Sequence, residues 1–188
     1  MKIKIVELEQ KLGYSIKKNF QSIGFDTASK CGIGIIKTTK QYAEIDWTLV
    51  HFKSDNIQEI YQQMYWSFGE LINKNLDCCI IEDVYVGQNP NTSIKLARFG
   101  GLVIAHAIEN QIHFETIGAV SARAKLGINT RKYPGKAKKA VKMWLKETLD
   151  LKLDEDNCAD GIVLALLGII EGIDFKPKTK KRKRKKKS

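Results

Sequence analysis

Between Phe20 and Phe52 the apolar residues fall into three runs, FQSIGFD, CGIGIIKT and YAEIDWTLVHF, the last with Tyr42, Ile45, Trp47 and Leu49 mostly spaced for one strand face. The linkers TASK and TKQ are short, so the runs predict an antiparallel three-stranded meander. The period then lengthens. Ser54 or Asp55 caps a helix to about Asn75, with Ile57, Ile60, Tyr61, Met64, Phe68, Leu71 and Ile72 as its stripe. LDCCIIEDVYV is apolar and short, which predicts a strand buried on both faces that joins the sheet in parallel. A helix capped near Asn91 or Thr92 runs through SIKLARFGGLVIAHAIEN, and IHFETIGAV is a fifth strand. GKAKKAVKMWLKETLDL is an amphipathic helix, with Val141, Trp144, Leu145 and Leu149 on one side and Lys136, Lys138, Lys139 and Lys142 near its start. CADGIVLALLGIIEG closes the series. The order βββαβαβαα predicts an α/β fold, a mixed five-stranded sheet with helices on both faces.

Length and charge narrow the partner class. A chain of 188 residues suits one core, and no apolar run is long enough to span a bilayer. Cys31, Cys78, Cys79 and Cys158 have no CxxC spacing, and MKIKIVELEQKLG is unlike a signal peptide, which points to reduced thiols in a cytosolic compartment. The three histidines form no zinc pattern. Net charge is +11, but KPKTKKRKRKKKS at 176–188 carries ten Lys or Arg and no acid; the remainder holds 22 bases against 21 acids. Three segments follow: an N-terminal extension at 1–19, a nearly neutral domain at 20–175 and a basic tail at 176–188. Such a tail self-repels and is drawn to polyanions, nucleic acid first; it also serves as a solubilising or nuclear-targeting segment. Neither a membrane nor a small-molecule substrate is called for.

Three acids occupy positions that need explaining. Asp26 ends the first strand before a turn, where an Asp is ordinary. Glu82 falls inside a strand that should be buried on both faces, where an unpaired carboxylate is costly unless a base pairs with it. Asp160 shares a helix face with Val163, Leu164 and Leu167, so it points to where the helix docks. Asp156 and Asn157, four and three residues earlier, flank that face, and either one completes the group; Asp156 serves equally as a helix cap. Converging carboxylates repel unless a cation lies between them. Mg2+, with Mn2+ as its substitute, suits all-oxygen ligands, and two such ions about 4 Å apart promote phosphodiester hydrolysis.

IGFDTASKCGIGII, IIEDVYVGQNPNTSIKLARFGGLVIAHA and NCADGIVLAL together resemble the RuvC family of Holliday junction resolvases, of phage or viral type, within the RNase H-like superfamily. The second block is the most specific, with a strand-borne Glu, an aromatic three residues on, a loop Asn and a Lys-Leu helix rich in small residues. The resemblance covers about residues 20–172. It implies an RNase H-like fold and a homodimer that binds a four-way DNA junction and makes paired nicks with Mg2+. By position it makes Asp26, Glu82 and Asp160 catalytic metal ligands, with Asp156 or Asn157 as the fourth. Tyr85 matches the aromatic that stacks on a base, Lys138 a substrate-contacting lysine, and Arg123 or Lys125 a further basic residue. Lys136, Lys138 and Lys139 lie where phosphates approach. The family's DxxD pair reads Asn157 to Asp160 here, a departure that leaves the fourth ligand open. Gly100 and Gly101 within a helix suggest close approach of a partner subunit. Nucleases of the same fold that cut other branched DNA or RNA–DNA hybrids, and binding proteins whose acids are structural, are the competing readings.

Overall fold

The computed structural model describes residues 1–84, 90–133 and 137–175. In chain order its elements are β1 (Lys2–Lys4), α1 (Ile5–Leu12), β2 (Gln21–Asp26), β3 (Lys30–Thr38), β4 (Tyr42–His51), α2 (Ile57–Leu71), β5 (Cys78–Glu82), α3 (Pro90–Glu109), β6 (His113–Ile117), α4 (Ala119–Lys125), α5 (Ala137–Leu149) and α6 (Asp156–Ile169), with a 3-10 turn at Thr130–Lys132. The sheet runs β1-β4-β3-β2-β5-β6. The β2–β3–β4 meander is antiparallel, and β5 and then β6 add in parallel to the other edge of β2, as the short linkers and the intervening helices require. None of the described helices is long and apolar enough to cross a membrane.

The sheet has six strands, one more than the hydrophobic pattern predicts. Ile3 is buried between two exposed lysines, and the strand Lys-Ile-Lys pairs antiparallel with β4 through Lys2↔Glu44 and Lys4↔Tyr42. Three residues are too few for alternation to be legible. Ile5, Leu8 and Leu12 of α1 and the following Ile16 are also buried, so residues 1–19 contribute core as well as an edge strand. A second difference lies after β6, which stops at Ile117. Gly118 leads into α4, and Ala-Val-Ser-Ala-Arg-Ala-Lys, rich in helix-favouring alanine, coils where a strand to Val120 is predicted.

Alternation in β2 and β5 separates two cores. Ile23, Phe25, Cys79 and Ile81 pack under α2 and α3, whereas Cys78 and Ile80 join the core under α6. Asp26 and Glu82 stand in step with the second set. From Cys158 to Ile169 α6 is buried on every side, each large aliphatic contributing about 1.5–3 kcal/mol. It lies almost on the backbone of the sheet. A Cβ at Gly32 would come within 2.0 Å of the Asn157 carbonyl oxygen, and one at Gly161 within 2.6 Å of the Gly32 carbonyl oxygen. Glycine at both positions is what lets the helix start reach the ends of β2 and β3.

Candidate active site

β2 and β5 are parallel neighbours in register from Ser22↔Cys78 to Phe25↔Ile81, so Asp26 and Glu82 leave the same end of adjacent strands on the same face. In sheets with parallel strands this carboxyl end is where ligands bind. α6 crosses that end and supplies Asp160, which is buried, as is Asp26. Three acids distant in sequence thus lie close enough for their charges to act on one another.

The protein answers their repulsion with its own cations. Arg123 of α4 holds Asp160 through a forked contact, Nε donating to Oδ1 at 3.1 Å and Nη2 to Oδ1 and Oδ2 at 2.9 and 2.8 Å. Lys138 of α5 reaches into the middle of the group. Its Nζ donates to Asp26 Oδ2 at 2.5 Å and to Asn157 Oδ1 at 2.8 Å, and lies 4.0 Å from Asp160 Oδ2. Burial alone would lower the pKa of this ammonium; the charges of Asp26, Asp160 and Glu82 outweigh it and hold the lysine above its usual value. Burial raises the Asp160 carboxyl, an effect that Arg123 opposes.

Glu82 makes no ion pair among the described residues. Burial first, then the neighbouring Asp26 charge and a hydrogen bond with that carboxyl, push its pKa up to about 8. At neutral pH it is therefore mostly the neutral acid, and the remaining carboxylates, Asp26 and Asp160, balance Lys138 and Arg123 in charge. Its Oε2 is buried without a hydrogen-bond partner among the described residues. A buried carboxyl with an orphaned oxygen, near the Asp26 and Asp160 carboxylates, offers a donor set for a hard divalent cation. Among the described residues no three acids, cysteines or histidines close on one point as an assembled ion site; Asp26 and Asp160 are drawn to Lys138 and Arg123 instead.

Asn157, not Asp156, joins the cluster. Its Nδ2 donates to the Lys30 carbonyl at 3.0 Å and its Oδ1 meets Lys138, whereas the half-exposed Asp156 pairs with Lys142 at 3.5 Å on the α5 side. Because α6 begins at Asp156 and rests on β3 through Gly32, Asn157 faces the sheet and Asp156 faces away from it. Arg123, expected as a DNA contact, is buried and commits its guanidinium to Asp160. Lys125, two residues on, is turned away and donates to the Asp174 carbonyl. Lys139 is exposed beside the cluster and lines a cleft with Lys142. Tyr85, Lys136 and the tail lie outside the described residues. What sequence reasoning missed is the carboxylate partner of Arg123; only the adjacency of α4 and α6 in space reveals it.

The family described as crossover junction endodeoxyribonuclease RuvC matches residues 23–167. The crossover junction endodeoxyribonuclease RuvC of Chlamydia abortus is 30% identical over 118 residues, 60% of this chain and 68% of that protein. Among solved structures, T. thermophilus RuvC in complex with Holliday junction substrate aligns with a TM-score of 0.63 at 16% identity, over 78% of this chain and 91% of that one. A further Thermus thermophilus RuvC structure gives 0.61 at 15%, covering 78% and 92%. At such identities the two structures establish the fold, a mixed α/β sheet of the RNase H-like kind.

Proposed function

Because the chain belongs to the family of crossover junction endodeoxyribonuclease RuvC, we propose that it is a Holliday junction resolvase, an endonuclease that hydrolyses phosphodiester bonds at four-way DNA junctions. It acts as a homodimer whose two sites make paired nicks. The observation that carries this reading is the meeting of Asp26, Glu82, Asn157 and Asp160 around Lys138 at the carboxyl end of β2 and β5. Binding proteins need bases and aromatics on their DNA surface and have no use for converging carboxylates.

Nucleases of this family are metal-dependent, and here Asp26, Glu82 and Asp160, with the Asn157 amide oxygen, would hold Mg2+. When bound, the metal activates water and stabilises the leaving oxygen. The chain's own groups do the rest. Arg123 fixes the Asp160 carboxylate in one orientation by its fork, so that a buried acid stays aimed at the site. Lys138 is a point charge on a flexible stem whose partners among the described residues all belong to the site, so it would reach a phosphate oxygen by turning from Asp26. Glu82, kept as the neutral acid by burial and the Asp26 charge, would have to lose its proton to serve as a ligand. Asp156 stays outside the chemistry, holding Lys142.

The test is cleavage of a synthetic four-way junction, with linear duplex, flap and RNA–DNA hybrid controls, with and without Mg2+. Symmetrical nicks in the junction alone, only with metal, are expected. Preferred cutting of the hybrid or flap would move the substrate to another class, and binding without cutting would make the acids structural.

A further inference from the structure

Beyond Lys138 and Lys139, α5 continues as a basic face whose later lysines, Lys142 and Lys146, have no part in the site described above. Lys138, Lys142 and Lys146 are spaced i, i+4, i+8 and share that face, about 6 Å apart and so about 12 Å from first to last. The first has its ammonium among the acids. The other two border a cleft of about 440 Å3 that Lys139, Lys152 and Asp156 also line. Lys142 is held there by the Asp154 carbonyl at 2.9 Å and by Asp156. Lys139, Lys146 and Lys152 make no ion pair among the described residues.

Four lysines against one aspartate leave the cleft with three uncompensated positive charges. A position near the helix C-terminus rewards Lys146 slightly, and single exposed lysines need no explanation, but their concentration in one concavity raises mutual repulsion that a bound polyanion relieves. We infer that this face of α5 is a phosphate track that carries the DNA strand flanking the scissile phosphate away from the carboxylates. The inference rests on the junction-endonuclease reading and adds to it which arm-contacting surface is used. One strand of duplex DNA presents a phosphate every 3.4 Å along the axis, so a row of about 12 Å spans three to four phosphates. A row that starts at the reacting site and runs straight from it sets distance along a strand, which a scattered basic surface cannot do. A small anion would need only one pair of these lysines; a continuous strand uses all of them.

The experiment compares the full chain with Lys146→Ala/Lys152→Ala, both exposed and away from the carboxylates, and with a charge-matched control, Lys37→Ala/Lys74→Ala, at the sheet end remote from the acids. Binding to a four-way junction is measured without metal from about 50 to 200 mM salt, and single-turnover cleavage at saturating enzyme with Mg2+. The track variant should lower the log–log salt slope by about 1.8, at about 0.9 for each phosphate no longer neutralised. The control should keep both the wild-type slope and the wild-type cleavage rate at saturation. An unchanged slope in the track variant, or an equal fall in both variants, overturns the track. A wild type that binds junctions no better than it binds linear duplex overturns the functional reading instead, and the track with it.

Discussion

Glu82 keeps a proton because it is buried beside the Asp26 and Asp160 charges, which the Lys138 ammonium only partly offsets. The consequence can be measured. A carboxyl at about 4.5 in the unfolded chain and about 8 in the native one adds stability below the lower value and loses it as pH rises through the upper one. With metal removed, the melting temperature should therefore fall from pH 5 to pH 8, and Glu82→Gln, neutral throughout, should remove most of that slope. Over the same range Mg2+ affinity should rise, because the ligand must first lose its proton; calorimetry showing affinity flat from pH 6 to 8 would contradict the assignment. The fourth position is decided the same way. Asp156→Ala should leave Mg2+-dependent cutting within about twofold and cost about 0.3–1 kcal/mol of helix stabilisation, whereas Asn157→Ala should slow cutting by an order of magnitude or more. The sequence leaves these two residues tied because they lie three and four positions before Asp160. What separates them is that the α6 backbone at Asn157 sits on Gly32, a long-range contact that no local pattern encodes.

At the level of elements, glycine marks where one surface closes on another. Gly161→Ala would place a methyl 2.6 Å from the Gly32 carbonyl oxygen, backbone against backbone, and should destabilise the protein by about 2–3 kcal/mol in urea unfolding. Gly101 is the opposite case, with nothing within 4 Å of its Cβ position among the described residues. If the partner subunit closes there, Gly101→Gln should convert a dimer to a monomer in sedimentation, while the gain in helix propensity leaves the melting temperature equal or higher. A dimer that persists would place the twofold elsewhere. Long elements with full periods, the meander, α2, α3, α5 and α6, are legible from hydrophobic pattern alone. β1 and α4 are not, since three and seven residues carry too little pattern and take their form from Tyr42–Glu44 and from packing under α6.

Across the whole molecule, charge is divided between a domain near neutrality and residues 176–188, whose removal takes net charge from +11 to +1. Truncation after Phe175 should weaken binding to every DNA alike and flatten its salt dependence, while junction preference, set by the folded domain, survives; equal salt slopes would exclude phosphate contact by the tail. The acids at strand ends were visible in the sequence because carboxylates stand out in apolar runs. The cations that hold them were not, since lysine and arginine are common on helices and only the assembled fold shows which ones turn inward. The central claim is that Asp26 and Glu82, from neighbouring strands, form one catalytic group with Asp160. The most direct measurement is single-turnover cleavage of a four-way junction by Asp26→Asn and Glu82→Gln in Mg2+, alongside junction affinity without metal. Cutting should fall at least a hundredfold in each while affinity stays within a few-fold of wild type. Cleavage at the wild-type rate in either variant would contradict the account.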